Sequence, residues 1–77
     1  MPTLQRFGAI VVRMYADDHA PPHFHIEAPD FEVLVRISDF AIIAGEARPG
    51  QIAEVLRWAE TERPILALKW AELNERG

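Results

Sequence analysis

Cysteine is absent from the 77 residues, which excludes disulfides, thiolate metal ligands and a cysteine nucleophile. A chain of this size buries only about 60% of the surface it exposes when unfolded. Lacking disulfides, it must draw stability from a tight core, a partner chain or a metal. No run approaches the roughly 18 consecutive apolar residues of a transmembrane helix. The N-terminus lacks a basic-then-apolar leader pattern, so no membrane partner and a cytoplasmic location are expected. Lysine occurs once, at Lys69, and there is no glycine-rich phosphate loop or nucleophile elbow. Positive charge is scarce: eight Lys and Arg against twelve Asp and Glu give a net charge of −4. Binding to nucleic acid is driven by phosphate neutralisation, so nucleic acid is not expected as the main ligand.

What is present fits one soluble globular domain over residues 1–77, with 49% hydrophobic and 26% charged residues. Charge is even: three basic and five acidic side chains in 1–38, five and seven in 39–77, so neither half is a charged tail. Residues 1–45 read mainly as strands. Ala9–Tyr15 is rich in β-branched and large apolar residues, and a connection dense in turn formers follows, ending in Pro21-Pro22. His23–Ala28 then alternates, Phe24 and Ile26 pointing one way and His23, His25 and Glu27 the other. After the Pro29-Asp30 turn, Phe31–Ser38 alternates again, with Phe31, Val33, Val35 and Ile37 on the apolar face. Ala41–Ala44 is expected to add a short fourth strand. Arg6 and Phe7 are expected to form a strand or turn anchor, with Phe7 covering the end of the core.

Residues 49–74 read as two helices. Pro49 suits a first helical turn, and Ile52, Val55, Leu56 and Ala59 recur at helical spacing through about residue 62. Pro64 disfavours the α region at Arg63 and predicts a break. Over 64–74, Leu66, Trp70 and Leu73 form one apolar stripe and Ile65 and Leu68 a second beside it. Two stripes exceed what one side of a small sheet covers, which marks Trp70, Leu66 and Leu73 as a partner surface, for a homodimer or a protein partner. The expected fold is α+β: a three- or four-stranded antiparallel sheet with two C-terminal helices packed on one face.

All three histidines lie within seven residues, His19, His23 and His25. On a strand, His23 and His25 project from one face about 6.5–7 Å apart, with Glu27 continuing the row. Imidazoles with a carboxylate are a ligand set for a divalent metal such as Zn or Ni, so His19, His23, His25 and Glu27 are the candidate metal residues. The plainer alternative is a half-exposed polar face on which the histidines pair with Glu27, Glu32, Asp17 or Asp18. A catalytic alternative would use His23 or His25 with Arg13, Arg36, Tyr15 or Glu27 in acid–base chemistry at a 2′-hydroxyl. Against it, Asp17, Asp18, Glu27 and Glu32 would repel a phosphate backbone.

The run Met1–Phe7, the segment Val12-Arg13-Met14-Tyr15, the block from Asp18 to Glu27 and the segment Val55–Glu60 together resemble a small bacterial family, domain of unknown function 4160. Trp70 and Glu72 extend the likeness, and Pro64 departs from it. The resemblance implies a short bacterial cytoplasmic protein encoded beside another short reading frame, hence one half of a toxin–antitoxin-like or regulatory pair. No reaction comes with the family, so no catalytic residue is carried over. The expected function is a regulatory or interaction protein, with a histidine-based or metal-dependent enzyme acting on RNA as the alternative.

Overall fold

A computed structural model describes residues 3–74. Met1 and Pro2, which open the run that carries the family resemblance, lie outside the described residues, as do residues 75–77. The chain runs through β1 (Thr3–Phe7), β2 (Ile10–Arg13), β3 (His23–Ala28), β4 (Phe31–Arg36) and β5 (Ile42–Gly45), then α1 (Pro49–Thr61) and α2 (Arg63–Asn74). The strands form one antiparallel meander in sequence order. The class is α+β as expected, but the sheet has five strands rather than three or four. The additional strand is β1. A register shift between Thr3 and Gln5 breaks its period of two, so Leu4 and Phe7 do not alternate with polar residues and the pattern goes unread.

Local chemistry sets the turns. Phe7 pairs with Ile10 across Gly8-Ala9, and Gly8 takes a φ of +60° as the first central residue of a two-residue hairpin loop. Pro29-Asp30 closes the β3–β4 hairpin, where Ala28 pairs with Phe31. In the β4–β5 connection, Arg36 forks onto Asp39 at 2.9 and 2.7 Å, and the Asp39 carboxylate also accepts the Ala41 N–H at 3.1 Å. Pro49 begins α1, and Gln51 Oε1 accepts the Arg48 N–H at 2.8 Å, satisfying a donor ahead of the helix. The expected break falls at Glu62, with Pro64 in the first turn of α2, where its missing N–H costs nothing.

One apolar cluster joins the sheet to both helices. Val12, Met14, Phe24, Ile26, Val33, Val35 and Ile37 come from the sheet side, and Ile52, Val55, Ala59, Leu66 and Trp70 from the helices. The positions expected to face inward, Phe24, Ile26, Val33, Val35 and Ile37 with Ile52, Val55 and Ala59, are all in it, with Leu56 packed at the margin. Leu66 and Trp70 are therefore part of the chain's own core, and Leu73 packs against it. That takes the stripe Leu66–Trp70–Leu73 off the candidate partner surface: α2 is rotated so that this stripe meets the sheet, leaving Ile65 and Leu68 outside, 51% and 63% exposed. No helix among the described residues is long and apolar enough to cross a membrane.

Candidate functional site

The sheet register assembles the site on the side opposite Phe24 and Ile26. Arg13 pairs with His25, Glu27 with Glu32, and His23 with Arg36, so these side chains share one face. The β2–β3 connection then brings Asp18 back over the face. Asp17 turns the chain with a φ of +60°, a conformation Asp tolerates better than most residues. The carboxamide of Asn74, at the end of α2, holds the connection from both sides. Its Oδ1 accepts the Asp18 N–H at 2.7 Å and its Nδ2 donates to the Tyr15 carbonyl at 3.1 Å.

So held, Asp18 Oδ2 lies 3.0 Å from His23 Nε2 and 3.1 Å from His25 Nε2. The two imidazoles differ in their other nitrogen. His23 Nδ1 donates to the Pro21 carbonyl at 2.7 Å, because a carbonyl can only accept. His25 Nδ1 faces Glu32 Oε2 at 3.3 Å. His23 is only 1% exposed, packed between the His25 ring at 5.2 Å and the Trp70 ring at 5.1 Å. The expectation of a half-exposed histidine row fails at this position. The β2–β3 connection and α2 close over the start of β3, a covering that strand alternation does not register.

His23 Nε2 is close to Asp18 but makes no aligned hydrogen bond. Direction decides the bond more than distance. With one hydrogen on Nδ1, His23 Nε2 meets the carboxylate oxygen either as a second N–H or as an unshared pair. For Asp18 itself, burial pushes the carboxyl pKa up. The hydrogen bond with His25 and the nearby His23 more than offset that, so it lies below its ordinary value.

The neighbouring groups are paired with one another. Tyr15 meets the His25 ring edge-on at 4.5 Å and donates its hydroxyl to Glu27 Oε2. That hydrogen bond, with burial, raises the Tyr15 pKa, keeping the phenol a donor. Arg13 Nη1 stands 3.7 Å from Glu27 Oε1, and Arg36 is taken up by Asp39. His19 points outward with a side chain 90% exposed, its Nδ1 3.5 Å from Asp18 Oδ1.

Two groups among the described residues place three ligand atoms within 4.8 Å of one another: Asp18–His23–His25 and His25–Glu27–Glu32. Of the four residues named from the sequence, His23 and His25 come together, Glu27 belongs to the second group, and His19 to neither. Asp18 was missed as a candidate because it precedes the strand that carries the histidines. The available signal was the stiff Pro21-Pro22 pair, which limits how far a carboxylate just before it can stray from His23.

A family model described as "Domain of unknown function (DUF4160)" matches residues 9–71. No curated protein and no solved structure matches the chain.

Proposed function

The chain belongs to the domain of unknown function 4160 family, and since that name carries no reaction we propose a role from its surfaces: a small regulatory protein that acts by protein contact through the outer edge of β5. The supporting observation is that this edge carries no charge and no proline. β5 ends the sheet, and its residues are Ile42-Ile43-Ala44-Gly45. Natural sheet edges are commonly blunted by Lys, Pro or bulges. Both edges carry a register shift, at Leu34/Val35 against β5 and at Thr3/Gln5 in β1, but only the β1 edge adds a charge, the exposed Arg6. Beside β5 lies an open, mainly apolar groove of about 550 Å³ bounded by Phe40, Ile42, Ile52 and Leu56. An edge offering backbone groups next to apolar pockets is the arrangement used for strand addition. The occupant is a second copy of the chain, because an antiparallel β5–β5 pairing is self-complementary and closes a two-fold dimer. A two-protein regulatory pair of the toxin–antitoxin kind, implied by the family resemblance, would use the same edge for a different strand.

Light scattering at high protein concentration tests this. A dimer that Ile42→Lys dissociates and Leu68→Glu leaves intact supports the β5 edge. Dissociation by Leu68→Glu alone would move the contact to α2, and a strictly monomeric wild type would remove the homodimer. The alternative of a histidine-based or metal-dependent enzyme acting on RNA draws support from the convergence of Asp18, His23 and His25. Its phosphate-binding cation is the weak point, since Arg13 and Arg36 both have carboxylate partners.

A further inference from the structure

We propose that Asp18, His23 and His25 form a binding site for one divalent transition-metal ion, with Zn²⁺ a well-matched occupant. The proposal is independent of the contact made by β5. It rests first on the buried Nε2 of His23, which has no hydrogen-bond partner and faces Asp18 Oδ2 at 3.0 Å. A buried nitrogen lone pair opposed to a carboxylate oxygen is costly unless something positive lies between them. A proton on Nε2 is one solution, and a metal ion is the other.

The outer hydrogen bonds favour the metal. Metal-ligating histidines regularly donate their second ring N–H to a backbone carbonyl or a carboxylate, which fixes the tautomer and aims the free nitrogen. Both kinds of partner are here: the Pro21 carbonyl on His23 Nδ1 at 2.7 Å and Glu32 Oε2 at 3.3 Å from His25 Nδ1. Both Nε2 atoms converge on the same Asp18 oxygen, His23 without a hydrogen bond and His25 through one that a metal ion would replace. The spacing also fits. Ligands about 2.0–2.1 Å from a tetrahedral Zn²⁺ stand about 3.3–3.4 Å from each other. The Asp18 Oδ2 to Nε2 separations of 3.0 and 3.1 Å need to open by only a few tenths of an ångström.

The donor set narrows the ion. Two imidazoles and one carboxylate, with no thiolate in the chain, suit Zn²⁺, Ni²⁺, Co²⁺ or Fe²⁺ over Ca²⁺ or Mg²⁺, which prefer all-oxygen sites. Three protein ligands leave at least one position open. The ion would tie the β2–β3 connection to β3 at the point where Asn74 already ties it to α2.

The experiment uses the full chain, stripped with a chelator and titrated at pH 7.5 with ZnCl₂, NiCl₂, CoCl₂ or MgCl₂. The expected result is one Zn²⁺ per chain by calorimetry, with a melting temperature about 10 °C or more higher at a hundredfold excess over Kd. Mg²⁺ should do nothing. Asp18→Asn and His25→Gln should each weaken Zn²⁺ binding by at least about a hundredfold. Glu27→Gln, which alters only the second ligand group, should leave it unchanged. Because the first two variants could also loosen the fold, ring-nitrogen NMR of the wild-type chain supplies a reading that needs no substitution. Zn²⁺ should shift the Nε2 resonances of His23 and His25 and spare their Nδ1 resonances. Absence of binding by all three transition ions, binding that survives the Asp18→Asn/His25→Gln double substitution, or a shift at Nδ1 instead would each overturn the site.

Discussion

Asn74 and Asp18 lie 56 residues apart and are joined directly, the Asn74 carboxamide oxygen accepting the Asp18 N–H at 2.7 Å. With the second bond, from Asn74 Nδ2 to the Tyr15 carbonyl, one side chain fixes both ends of the segment that carries the site's carboxylate. Asn74→Ala would leave a partly buried donor and acceptor unmatched. We expect a loss of about 1–3 kcal/mol in chemical denaturation, with amide exchange quickened at Asp18 and little changed in β4. Equal quickening throughout the sheet would mean that the anchor supports the whole fold rather than this connection.

The two sides of β3 and β4 should respond differently to substitution. Val35 is fully buried in the sheet–helix cluster, and Val35→Asp would place an unpaired charge there at a cost of several kcal/mol. Since a domain of this size has about 5 kcal/mol in hand, the variant should be unfolded by circular dichroism. Glu32→Gln retains an acceptor for His25 Nδ1 and should melt near the wild type.

His23 should behave as a core residue. His23→Ala would open a void beneath Trp70 and deprive the Pro21 carbonyl of its donor, for about 2–4 kcal/mol. The chelator-treated His25→Gln variant should lose clearly less. Equal losses for the two would show that His23 is not covered as the Trp70 contact implies.

Glycine is required at position 45 and merely convenient at position 8. Gly45 has a φ of +82°, and a Cβ there would run into the Glu32 carbonyl oxygen of the paired strand. Gly45→Ala should cost about 2 kcal/mol or more through strain and loss of β4–β5 pairing. Gly8 also has a positive φ, but nothing lies within 4 Å of an added Cβ. Gly8→Asn should therefore be tolerated, since Asn adopts that conformation readily. Thermal melts of the two variants give the comparison directly.

The Arg36–Asp39 fork should be visible in a pH titration. The Arg36 hydrogen bonds, with the Ala41 N–H, hold the Asp39 carboxyl down at about 2. A carboxyl depressed in the folded state stabilises it only while ionised. That contribution is complete above the unfolded value near 4 and disappears as pH falls from there toward 2. Carboxyl-carbon NMR should place the Asp39 transition in this range, and Arg36→Gln should move it back toward the ordinary value. A transition that stays put in Arg36→Gln would assign the shift to the backbone donor instead.

The amino-acid sequence by itself determined the α+β class, the inward set from Phe24 to Ile37, the Pro29-Asp30 turn and the division of the helical half near Pro64. Those features follow from short-range rules: strand alternation, proline's fixed φ and helical spacing act within a few residues, and the local pattern shows them. The tertiary structure decided which stripe of α2 faces inward. Leu66–Trp70 and Ile65–Leu68 are both apolar, and only docking against the sheet separates core from surface. It also decided that His23 is buried and that Asp18, rather than His19 or Glu27, completes the histidine pair. These outcomes depend on a connection folding back over a strand and on an asparagine 56 residues away holding it there. No periodicity encodes a contact of that kind, because its energy exists only once the two distant segments have met.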